Sequence, residues 1–283
     1  MQIKATSLLR RLRPPVTACL RGLDARHRER GFTLVEIAIA IFIITLLLGS
    51  FLVPLTTQVE QRQVSETQKM LEDIKEALIG HAIAKGYLPC PDRTSGGAGA
   101  VGSNDFANDG IEDYNTGTGV CFSATATGNV PWVTLGLGAS DPWGNRFRYR
   151  VTAAYGQRPV LPGPPPTPAL FNLSTAATLG VTTTSGGTLL TAANPDGAVA
   201  VILSHGKNGF GAWNALTNTQ RPLPVSADEV DNLTSPTFTS RVPTAFATPC
   251  GGAGQPLCEF DDIVIWIGKY TLYNRMVAAG KLP

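Results

Sequence analysis

The sequence predicts an α+β fold in which one long amino-terminal helix precedes a small antiparallel sheet with long loops. Three observations carry that expectation. An unbroken apolar run over 32–55 passes into a polar segment with apolar residues at helical spacing, up to Gly86. Thirty Gly and 21 Pro, concentrated after residue 86, call for many turns and few long elements there. Short apolar or alternating runs bounded by turn residues recur in that same part. With 283 residues, 43% of them hydrophobic, the chain can bury one sizeable core.

Four segments follow in order: 1–31, 32–55, 56–86 and 87–283. The first holds 8 Lys and Arg against 2 Asp and Glu, so the net charge of +2 hides +6 before residue 32 and −4 after it. That balance disfavours a nucleic-acid face on the larger part. Residues 32–55, FTLVEIAIAIFIITLLLGSFLVPL, contain one charge, Glu36. As a helix they span about 36 Å, enough for the hydrocarbon core of a bilayer. The basic residues stand before this run and Arg62 is the first after it, so the amino terminus should stay cytoplasmic and the remainder be exported. An ordinary secretory signal fits poorly, because the run is too long and Ala38-Ile39-Ala40 lies inside it. An uncleaved signal anchor stays open on hydropathy, although a carboxylate inside a membrane helix is costly and marks a function.

In 56–86, Val59, Thr67, Met70, Leu71, Ile74, Leu78 and Ile83 recur near three- and four-residue spacing, and Gly86 should end the helix. Pro54 predicts a kink or local melting between the two halves. Beyond it, 132–135, 146–152, 199–204 and 263–267 read as strands. Asp141-Pro142-Trp143-Gly144-Asn145 supplies a turn before the alternating run with Arg146, Arg148 and Arg150, whose basic stripe reads as a solvated face. The segments 161–168 and 217–249 should lie outside the sheet, and 270–279 should form a closing helix stopped by Gly280.

Five cysteines divide as Cys19 before the apolar run and Cys90, Cys121, Cys250 and Cys258 beyond it. Four cysteines without a C-x-x-C fit disulfides in an oxidising compartment. Three pairings are possible; the short glycine-rich segment between Cys250 and Cys258 favours that pair, leaving Cys90 with Cys121. No H-E-x-x-H, G-x-S-x-G or Walker sequence appears, and Ser204 and His205 are adjacent on a strand, pointing to opposite faces. An enzyme is not expected.

The run Arg30-Gly31-Phe32-Thr33-Leu34-Val35-Glu36 resembles the prepilin peptidase site of type IV pilins and type II secretion pseudopilins. The resemblance implies a pilin-like fold, cleavage between Gly31 and Phe32, and methylation of the new amino group on Phe32. It implies a prepilin peptidase and methyltransferase, other pilin-like subunits and an inner-membrane assembly platform as partners. The place implied is the inner membrane, in a single pass, with 87–283 in the periplasm and then in a filament. Glu36 would pair with the methylated amine of a neighbouring subunit.

Later segments resemble the major pseudopilin of type II secretion: Asp141-Pro142-Trp143-Gly144-Asn145, Leu203-Ser204-His205-Gly206-Lys207-Asn208-Gly209 and Asp262-Ile263-Val264-Ile265-Trp266. In that family the loop between the last two binds calcium; here the acidic residue of the turn is Asn208 and the loop is longer. Calcium takes six to eight oxygens, and Asp228, Glu229, Asp231 and Asn232 can offer several, with Asp261 and Asp262 across the loop. The run from Asn104 to Asp113 is a second calcium-like cluster, read equally well as a turn rich in Asn and Asp. Two other roles remain open: a minor pilin whose loops at 153–198 and 210–258 meet a ligand, and an anchored protein that never polymerises.

Overall fold

The apolar run after Gly31 is helical, and helix α1 spans Leu34–Lys85. This computed structural model describes residues 31–95, 107–122, 127–159, 169–234, 236–251 and 257–282, with backbone alone at 50–56. The basic leader with Cys19, Asn104, Asp105, Phe106, the loop 161–168 and residues 252–256 lie outside the described residues. The chain divides into two compact units, Met1–Pro54 and Leu55–Pro283.

In the first unit every described side chain over 32–49 is exposed, including Phe32, Leu34, Ile37, Ile41 and Phe42. Helical backbone continues through Pro54, so of the kink or local melting expected there the melting does not occur. Among the described residues, no helix is long and apolar enough to cross a membrane. The described side chains of the apolar run end at Gly49.

In the second unit the apolar stripe of α1 is buried through Leu71, Ile74, Leu78, Ile79 and Ala82, spaced to fall on one side of the helix. Gly86, at φ 84°, accepts the left-handed conformation that ends the helix. Strands β1 (Thr127–Asn129), β2 (Arg148–Val151), β4 (Ala198–Ser204) and β6 (Ile263–Gly268) form an antiparallel sheet in the order β1-β2-β4-β6. A second sheet is parallel and pairs β3 (Gly180–Thr182) with β5 (Thr237–Thr239).

Every residue of β4 is buried, because the sheet is covered on both faces. Val199, Ala200 and Ile202 join the core that contains the α1 stripe and Leu272, Tyr273 and Met276 of helix α4 (Lys269–Ala278). Val201 and Leu203 join a second cluster with Val181 of β3 and Phe238 of β5. Continuous burial, rather than alternation, is what a strand between two packed layers requires.

Three expectations are corrected here. Residues 132–135 are a single helical turn, α2 (Trp132–Leu135), not a strand; Pro131 precedes it and Gly136, at φ 70°, closes it. The basic stripe on β2 is not a solvated face. Arg146 and Arg150 are buried, with Arg146 stacked 4.0 Å from the Trp132 ring, and Arg148 donates to the carbonyl of Leu233. Leu233 belongs to helix α3 (Ala227–Thr234), in the stretch predicted to be loop. The disulfides join Cys90 to Cys121 and Cys250 to Cys258.

Candidate functional site

At the start of α1, Thr33 and Glu36 hold each other. The Thr33 backbone N–H and hydroxyl donate to Glu36 Oε2 at 2.8 and 2.9 Å, and the Glu36 N–H donates to Thr33 Oγ1 at 3.3 Å. This reciprocal capping box satisfies donors that a helix start otherwise leaves unpaired. The sequence signal for it was the Thr-x-x-Glu spacing, which the processing motif overlays. Gly31 and Phe32 precede the cap in extended or irregular backbone, with Phe32 80% exposed and open space around Gly31. The only acid in the first turn of α1 lies just beyond this Gly-Phe pair.

In the second unit, Glu229, Asp261 and Asp262 each bring a carboxylate oxygen within 4.8 Å of the others. Three separate segments place them: α3, the residues leading into β6, and the turn after β4. In that turn Asn208 donates its side-chain amide to Glu229 Oε1 at 3.1 Å and its backbone N–H to Asp261 Oδ2 at 2.7 Å. The turn also needs Gly206, at φ 57°, because a Cβ there would stand 2.3 Å from the Asp261 carbonyl oxygen. Asn232 donates to Asp262 Oδ2 at 2.7 Å, and His205 Nδ1 lies 3.4 Å from Asp262 Oδ1.

Burial, followed by the negative charge of Asp262, pushes the Glu229 carboxyl up to about 7. Burial pushes Asp261 up to about 6, against the Asn208 N–H that favours its ionised form. Asp261 Oδ1 is buried without a hydrogen-bond partner. Oxygens that share a calcium ion at 2.3–2.6 Å lie up to about 5 Å apart, so this spacing and the orphaned acceptor fit such an ion. A cation there would neutralise the acids and fasten α3 to the approach to β6.

The other predicted ligands lie elsewhere. Asp228 accepts from Arg241 Nε and from the Ser185 N–H, both at 2.6 Å. Asp231 is half-buried on α3 outside the group. In the second acidic run, Glu112 pairs with Arg158 at 3.0 Å and Asp113 accepts the Arg93 N–H at 2.7 Å. Asp92, which the sequence reading passed over, is fully buried and accepts the N–H groups of Asn108 and Gly110 at 2.9 and 3.0 Å. The described part of that run, from Ala107 onward, is a hydrogen-bonded turn organised around Asp92. Ser204 donates its hydroxyl to Asp141 Oδ2 at 2.6 Å.

A family model described as the prokaryotic N-terminal methylation motif matches residues 26–52. The matched segment contains Gly31, Phe32 and Glu36 and supports a type IV pilin-like precursor. No curated protein and no solved structure matches the chain.

Proposed function

We propose that the chain is the precursor of a filament subunit, cleaved between Gly31 and Phe32, N-methylated on Phe32 and held in the inner membrane by residues 32–55. The observation that carries this reading is the first unit itself. Its helix exposes apolar side chains all round over 32–49, with Glu36 the one charge among them. A helix apolar on every side is stable only when buried, in lipid or among like helices. Before assembly the lipid covers it and Thr33 engages Glu36; afterwards neighbouring helices cover it and Glu36 meets the methylated amine of the next Phe32. Two charges that each lack a partner in an apolar filament core thereby neutralise one another. The prepilin peptidase, the assembly platform and other pilin-like subunits are the partners of that cycle.

The filament we favour is a type II secretion pseudopilus. Supporting this, the segments that resemble the major pseudopilin meet around the sheet, through Ser204 with Asp141 and His205 beside Asp262. Calcium at Glu229, Asp261 and Asp262 would serve a structural role there. A type IV pilus is the alternative, and a minor subunit that meets a ligand is favoured by the exposed Val225, Val242 and Phe246 of the long loop. Mass spectrometry of the mature amino terminus tests the central reading. It should find methylated Phe32, and retention of residues 1–31 overturns it.

A further inference from the structure

The long loop before β6 encloses a cavity of about 230 Å³. It is larger than the cavity of about 150 Å³ known to admit benzene, so an aromatic ring with a short tail fits. Phe210, Phe246 and the Cys250–Cys258 disulfide give it apolar walls. Val225 and Phe246, 97% and 71% exposed, stand at its mouth. Such side chains gain by being covered.

Its polar groups select the charge of a ligand. Glu229 and Glu259 line the cavity and, among the described residues, no Lys or Arg does, so its lining favours a cation over an anion. Ser226 also lines it; this residue is 7% exposed, and its Oγ is buried without a hydrogen-bond partner. A buried hydroxyl left unpaired costs free energy that a ligand donor can recover. Glu259 is half-exposed, which places a carboxylate where an entering cation can reach it.

We propose that this cavity binds an aromatic or branched apolar group carrying a protonated amine, with the apolar part between Phe210 and Phe246 and the ammonium at Glu259 and the Ser226 hydroxyl. The chemistry is shared by free aromatic amines and by an aromatic side chain next to lysine on another polypeptide. The inference rests on the loop alone and holds whether or not the subunit polymerises.

Fluorine NMR of para-fluorobenzylamine with the full-length chain in detergent tests it, with empty micelles as the blank. Saturable line broadening is expected with the native chain, weakened about fivefold by Glu259→Gln. Binding of the neutral para-fluorobenzyl alcohol should be unchanged by that variant, and Val225→Trp, which fills the mouth, should remove both. Displacement of the amine by acetyl-Phe-Lys-amide assigns the cavity to a polypeptide, and persistence of the signal assigns it to free amines. Equal broadening in all three proteins, or a preference for para-fluorophenylacetate, overturns the proposal.

Discussion

Thr33-Leu34-Val35-Glu36 and Ser226-Ala227-Asp228-Glu229 have the same spacing at the starts of two helices, yet their side chains do different things. At α1 the glutamate turns back to Thr33 and closes the cap. At α3 the Ser226 carbonyl still accepts the Val230 N–H at 2.9 Å, but Glu229 reaches Asn208 and Ser226 Oγ is left without a partner. The first cap is exposed, and among the described residues Thr33 alone bonds the carboxylate. The second lies where the half-buried Asn208 amide and the Asp261 backbone N–H offer charge-assisted hydrogen bonds, which outweigh a local cap. The spacing thus starts a helix in both places, while tertiary surroundings decide where the acid goes. An acid held only by its own helix start can be handed to a partner; one held by three segments cannot.

The largest effect should come from Glu36→Val. The variant should insert and be cleaved, while its incorporation into sheared filaments falls about a hundredfold or more, because the neighbour's buried amine loses its counter-charge. Normal incorporation would remove the assembly role. At Glu229 the expected effect is on stability. Calcium at a hundred times its dissociation constant should raise the unfolding free energy by about 2.7 kcal/mol, and Glu229→Gln should abolish that gain. An unchanged melting temperature in the native protein would eliminate the metal.

The pH dependence without calcium separates the two acids further. Glu229 and Asp261 have folded-state values of about 7 and about 6, above their values of 4.5 and 3.8 in the unfolded chain, so the folded state binds more protons in between. Stability should therefore fall as pH rises from about 4 to 7, by at most about 1.4 kcal/mol per pH unit for each proton. Asp92, raised to about 8 by burial, adds a decline of the same sign in every variant. Glu229→Gln should flatten the curve, and identical slopes in denaturant titrations would contradict the assignment. Smallest is the effect at the hydroxyls. Thr33→Ala should cost about 1 kcal/mol of local stability, seen as faster hydrogen exchange at the Glu36 amide. Ser226→Ala, which removes an unpaired hydroxyl, should change global stability by less than about 0.5 kcal/mol. Equal losses at the two positions would dissolve the contrast.

What the sequence made legible follows the same division between local and tertiary causes. Helix α1 with its stop at Gly86, strands β2, β4 and β6, and helix α4 were read from periodicity and punctuation, which are local. Trp132-Val133-Thr134-Leu135 misled because aromatic and branched residues favour strands, whereas Pro131 and Gly136 leave room for one helical turn. The arginines of β2 misled because alternation shows that two faces differ without showing that the second is covered; here α3 and the Trp132 ring meet it. Helix α3 was missed although Ser226-x-x-Glu229 marks its start. The acidic site was half visible. Glu229 and Asp262 stood out as oxygen donors, but the pairing of Asp228 with Arg241 depends on a contact that no spacing along the chain predicts.

The burial of Leu71, Ile74, Leu78 and Ala82 along α1 also has a mechanical meaning. In the proposed filament, tension applied along that helix enters the β-sheet through a row of interdigitated side chains, loading them together in shear. Contacts sheared in parallel share the force, whereas contacts peeled from one end fail in turn. An ion pair from Glu60 to Lys207 extends the row beyond its apolar part, and one from Glu76 to Arg275 lies within its length. A subunit built this way resists being stripped from its own helix when the filament is pushed or pulled.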